Sequence, residues 1–76
     1  MIVIRPVEAI DTTPQTIAFH FRILDAMDRL RTGKESSCVV DLRDAPIVGA
    51  VARNLLMHFI RWALRHDACL VVILML

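Results

Sequence analysis

Residues 39–50 read VVDLRDAPIVGA. Within a dozen positions a branched apolar run gives way to two carboxylates and a proline, then to small residues able to open a helix. With Cys38 in front, CVVDL (38–42) is a short continuous apolar run reaching Asp41. Such a run predicts a strand of a parallel sheet, covered on both faces. RDAPIVG (43–49) is its exit loop, and Asp44 shapes the turn before Pro46. From Gly49 to His66 the apolar residues recur at helical spacing. Val51, Leu55, Phe59 and Trp62 fall on one side, Asn54, His58, Arg61 and Arg65 on the other. Ala52, Leu56, Met57, Ile60, Ala63 and Leu64 widen the apolar arc beyond the roughly 100° that a surface helix ordinarily buries. Part of that arc is expected to meet another chain.

The flanking segments repeat the alternation. Downstream, CLVVILML (69–76) is apolar throughout and predicts a third strand. An edge so apolar invites aggregation unless something pairs with it or covers it. Upstream, IVIRPV (2–7) predicts a short strand running into a turn at Pro6. Thr12 and Gln15 have capping-box spacing, and Pro14 suits a first helical turn. From Thr13 to Thr32, Ile17, Phe21 and Leu24 mark an apolar stripe flanked by Phe19, Ile23, Met27 and Leu30. Asp25 precedes Arg29 by four positions on the polar side. Gly33 supplies a left-handed stop. The order β-α-β-α-β has connections long enough for helical crossovers and so implies parallel strands. The expected fold is α/β: one domain over residues 1–76, with a small three-stranded, mainly parallel sheet and two amphipathic helices.

Composition bears on function. A chain of 76 residues buries only about 60% of its unfolded surface. Yet 57% of its residues are hydrophobic, against roughly 45–50% in an ordinary soluble domain, and the mean hydropathy is +0.58. One small core cannot hide that much, so a homo-oligomer, most simply a dimer, or a protein partner is expected. A net charge of +1 provides no global attraction for nucleic acid. Eight of the nine cations are arginine, and residues 49–66 hold Arg53, Arg61 and Arg65 with no acid. Three arginines are few for DNA, and no aromatic residues interleave them for strand stacking. With Trp62 and Phe59 on the apolar side, the same helix is a weaker candidate for contact with a membrane surface.

No run reaches the roughly 18 apolar residues of a membrane span. The N-terminus MIVIRPVE has neither a basic lead nor a long apolar core of a signal peptide. A cytoplasmic location is expected. Cys38 and Cys69 each begin an apolar run and are expected to be reduced core thiols.

Two readings of the chemistry-bearing residues compete. In open α/β sheets ligands gather at the carboxyl ends of the strands, where Asp11, Asp41 and Asp44 fall. Three carboxylates there can hold Mg²⁺ for phosphate binding or phosphoryl transfer. Against this, no Gly-rich loop is present, for the only glycines are Gly33 and Gly49. Under the other reading Asp11 turns the chain, Asp41 accepts N–H bonds at the strand end, and Asp44 serves the turn. That reading needs no cofactor and no catalysis. His20, His58 and His66 show no metal-ligand spacing.

EAID (8–11), VVDL (39–42) and APIVGAVARNLL (45–56), in this order across almost the whole chain, resemble the STAS domain of anti-sigma-factor antagonists. That family shows a strand, a G-x-[ILV]-D turn, a helix, a strand ending in V-x-D-L, and a helix opening with [FI]-[IV]-D-S-x-G. The resemblance implies a non-enzymatic interaction module in a partner-switching system, with an anti-sigma kinase-like protein as partner. In the family a serine opening the second helix is phosphorylated, at a position where a helix N-terminus favours the added charge. Val48, Gly49 and Ala50 stand there in this chain. The family's leading strand and its closing strand and helix have no counterpart either, so a shortened STAS-like domain is implied. Partner contact is expected at Asp44, Ile47, Val48, Gly49, Val51, Arg53 and Asn54, with the apolar residues at the centre and Arg53 and Asn54 at the rim.

Overall fold

The computed structural model describes residues 1–74. Strand β1 (Ile2–Ile4), helix α1 (Thr13–Arg31), strand β2 (Ser37–Asp41), helix α2 (Ala50–Arg65) and strand β3 (Cys69–Ile73) follow one another in the expected alternation. The strands form one sheet in the order β1-β2-β3. Both pairings are parallel, with Ile2 opposite Cys38, and Cys38 opposite Leu70. The fold is α/β, as the sequence implies.

Among the described residues, the sheet is covered on one face only. Ile4, Cys38 and Val40 are buried and form one cluster with Phe19, Ile23 and Ala26 of α1 and Ala52, Leu56 and Phe59 of α2. Ile2, Leu70 and Val72 pack against the same cluster, and the two helices pack on each other. Side chains alternate along a strand, so Val3, Val39 and Val71 point the other way. Val3 is 51% and Val71 48% exposed. This corrects the expectation that β2 is covered on both faces. Strand order equals chain order here, and two consecutive crossovers of the same hand place both helices on one side.

Helix α1 also departs from expectation. Its buried row is Phe19, Ile23 and Ala26, with Met27 and Leu30 half-buried, whereas Ile17, Phe21 and Leu24 lie outside. The helix is apolar over so much of its circumference that periodicity alone does not choose the inward face. Its first turn does contain Pro14, but the Thr12 side chain makes no capping bond. Gln15 reaches Glu8 Oε2 instead, at 3.5 Å, and Thr16 Oγ1 donates to the Thr12 carbonyl at 2.8 Å. Gly33 has φ +77° and ends the helix as expected.

Helix α2 ends without glycine. Asp67 takes φ +54°, and the Ala68 N–H donates to the Ala63 carbonyl at 2.9 Å, the long closing bond of a left-handed C-terminal motif. Of the cysteines, Cys38 is fully buried and burial pushes its thiol up to about 11. Cys69 is exposed, contrary to the expectation of a second core thiol, because it opens the edge strand. Among the described residues no helix is long and apolar enough to cross a membrane.

Candidate functional site

The carboxyl ends of β1 and β2 lead into two loops that are stitched together. The Ile10 N–H donates to the Ile47 carbonyl at 2.8 Å, and the Gly49 N–H donates to the Ile10 carbonyl at 2.9 Å. These bonds make a one-residue parallel bridge between Ile10 and Val48. Ile10 is 2% exposed and roots the bridge in the core. Gly49 then serves as the N-cap of α2 with ordinary backbone angles. Its need is spatial, because a Cβ there would stand 3.0 Å from the Ile10 carbonyl oxygen and 3.3 Å from Asp11 Cα. Beside the bridge, a groove of about 430 Å³ runs between the first turns of α1 and α2, lined in part by Asp11, Thr16, His20, Gly49 and Val51.

The three acids of this edge are not gathered into one site. Asp41 has a side chain only 8% exposed and is enclosed by its near neighbour: Arg43 donates its backbone N–H (3.1 Å) and Nε (3.0 Å) to Oδ1, and Nη2 (2.9 Å) to Oδ2. Asp44 Oδ2 accepts from both Nε (2.8 Å) and Nη2 of Arg5. Asp11 is exposed. Among the described residues no three His, Cys, Asp or Glu side chains are placed to share a metal ion.

The Arg43 guanidinium and backbone hydrogen bonds hold the Asp41 carboxyl down at about 2, from an ordinary value of 3.8. A depressed folded-state value means that the ionised form favours folding. The stabilisation is complete above the ordinary value and is lost as pH falls through the folded one. Between about pH 4 and pH 2 the melting temperature should therefore drop more in the native chain than in Asp41→Asn. Thermal melts by circular dichroism across that interval check this; parallel curves for the two proteins would show that Asp41 carries no such linkage.

Of the residues expected to meet a partner, Ile47, Val51, Arg53 and Asn54 are exposed, Ile47 by 52% and Val51 by 60%. Val48 and Gly49 are spent on the loop bridge, and Asp44 is engaged by Arg5. Phe59, which membrane insertion would require, is completely buried. Trp62 is half-buried and stacks on His66 with ring centroids 4.6 Å apart. Among the described residues no carboxylate pairs with Arg53, Arg61 or Arg65.

Sequence reasoning missed the bare face of the sheet. Val3, Val39 and Val71 stand in register across all three strands. A continuous apolar run hides such a face, because both sides of the strand carry the same residue types. The available signal was the count of helices: two short crossovers in chain order cover one face. Compared with protein-family models, curated proteins and solved structures, the chain matches none.

Proposed function

We propose that this chain is a non-enzymatic interaction module of the cytoplasm. It self-associates through the bare face of its sheet and binds a protein partner around Asp44–Asn54, in the manner of an anti-sigma-factor antagonist in a partner-switching system. The observation that carries the reading is the in-register row Val3, Val39 and Val71 on a face that no described element covers. Contiguous apolar surface of this kind marks contact with another polypeptide. The partner's identity rests on the STAS resemblance, and the exposed Ile47 and Val51 beside Arg53 and Asn54 suit its expected contact. With Val48, Gly49 and Ala50 in place of the family's serine, the association is not switched by phosphate at that position.

The size of the face sets the strength of self-association. Three strands of up to five residues give a footprint on the order of 250 Å². A standard stable interface buries about 800 Å² per partner. Two bare faces stacked about 10 Å apart therefore make a weak, concentration-dependent pair. Light scattering over a hundredfold range of concentration should show mass rising towards a dimer, and Val3→Lys should hold the chain monomeric by placing two ammonium groups in the symmetric contact. A native chain that stays monomeric throughout would overturn the self-association. Ile47→Asp should leave the pairing intact while weakening binding to a partner kinase at least tenfold.

A further inference from the structure

A second open surface lies at the outer edge of β3. Pairing with β2 uses the Ile73 carbonyl, which accepts from the Leu42 N–H at 2.9 Å. Backbone groups alternate in direction along a parallel strand, so the N–H and C=O of Leu70 and Val72 face outward. Above this edge runs a shallow apolar groove between α2 and β3, lined by Ile60, Ala63, Leu64, Ala68, Leu70 and Val72. Arg53, Met57, Ile60 and Leu64 follow i, i+4, i+7, i+11 spacing, which places them in one row on α2, and Ile60 and Leu64 of that row form the groove wall. Met57 is 46% and Leu64 78% exposed. Arg53 and Arg61 sit one turn either side of Met57, exposed and with no acidic partner among the described residues.

We propose that the outer edge of β3 receives an extended segment of a partner protein as a fourth strand, and that the segment is acidic. Added strands take their affinity from main-chain hydrogen bonds and their specificity from alternate side chains. Eight helical positions separate Arg53 from Arg61, about 12 Å along the axis. A strand covers about 13 Å in four residues, and residues two apart share a face. The fitting segment therefore has acidic residues at i and i+4 and an apolar residue at i+2 over Met57 and Ile60. A second copy of this chain is the poorer occupant. Two-fold pairing of β3 with itself sets α2 beside its copy, and the interval from Gly49 to His66 offers the arginines no acid.

This inference deepens the interaction reading and rests on it, but it uses a different surface, so the two can fail separately. The test is selection from a phage-displayed library of random dodecamers against the full chain, followed by titration of synthetic winners. Enriched peptides should show the acidic-x-apolar-x-acidic pattern and bind less tightly as salt rises. Arg53→Glu with Arg61→Glu should weaken them at least tenfold; these exposed changes leave the core untouched, and a glutamate in the first turn of α2 suits the helix dipole. Val72→Pro, which removes an outward N–H, should weaken them similarly, and Val3→Lys should not affect them. Enrichment of peptides without acidic residues, no enrichment at all, or affinity unchanged by the charge reversal would overturn the proposal. Normal peptide binding by a chain that never self-associates would instead count against the stacked-face reading alone.

Discussion

Phe59→Ala is expected to lower the unfolding free energy by about 3–5 kcal/mol, the usual cost of emptying a fully buried aromatic site. Phe59 is completely buried and is the largest such side chain among the described residues. It belongs to the cluster that joins β1, β2 and both helices, so the cavity opens where no single element can move in to fill it. At roughly 0.05–0.15 kcal/mol per residue a 76-residue chain has about 4–11 kcal/mol in all. The loss is therefore about a quarter of that total at the least and all of it at the most, so the variant should be markedly destabilised at 25 °C. Urea denaturation followed by circular dichroism measures the loss. Met57→Ala, two residues away but 46% exposed, should cost no more than about 0.5 kcal/mol. Equal effects from the two substitutions would show that the inward face of α2 has been misplaced.

Gly49→Val should cost about 2–6 kcal/mol. The first atoms that its side chain would meet are backbone, the Ile10 carbonyl oxygen at 3.0 Å and Asp11 Cα at 3.3 Å, and backbone does not step aside as a flexible side chain does. Relief requires the two loops to part. Overpacking strain of about 1–3 kcal/mol then combines with loss of the Ile10–Ile47 and Gly49–Ile10 hydrogen bonds, each worth about 0.5–1.5 kcal/mol. Because Gly49 has ordinary backbone angles, the penalty should grow with side-chain size, with Gly49→Ala intermediate. Hydrogen exchange at the Ile10 and Gly49 amides should quicken in step with the stability loss. Protection equal to the native chain's at both amides would mean that the loop bridge does not depend on a bare Cα.

Both predictions concern features that the sequence reading reached unequally. Spacing placed Phe59 in the row Val51, Leu55, Phe59 and Trp62, but Phe59 alone of that row is buried, and the inward row of α2 is Ala52, Leu56, Phe59 and Ala63. Gly49 was read as part of a helix opening and a partner contact, yet its constraint comes from Ile10, thirty-nine positions away in the chain. No local rule anticipates that approach, since glycine is equally common where only a turn is needed. The arginine–aspartate pairs divide in the same way. Asp41 and Arg43 are two residues apart and fold back on each other. Arg5 and Asp44 meet only because β1 and β2 end side by side. With Asp41 and Asp44 each occupied by an arginine and Asp11 apart from both, the strand-end carboxylates do not form the cluster that the alternative metal reading needs.

What the residues determine alone is the alternation of strands and helices and the parallel sense of the sheet. Apolar runs, helical spacing and a left-handed glycine at position 33 are local properties, and connections of that length leave little topological choice. Which face is inward is a different kind of question. In α1 the apolar arc is wide enough to admit more than one orientation, and in the strands both faces are apolar. The outcome is decided by packing, once two crossovers of one hand have placed both helices on the same side. That arrangement buries Phe19, Ile23 and Phe59, and it leaves Val3, Val71, Phe21 and the rim of β3 in water. The apolar edge of β3 was signalled by its own sequence, whereas the exposure of Val3, Val71 and Phe21 follows from the geometry of the whole sheet and is visible only in the folded chain.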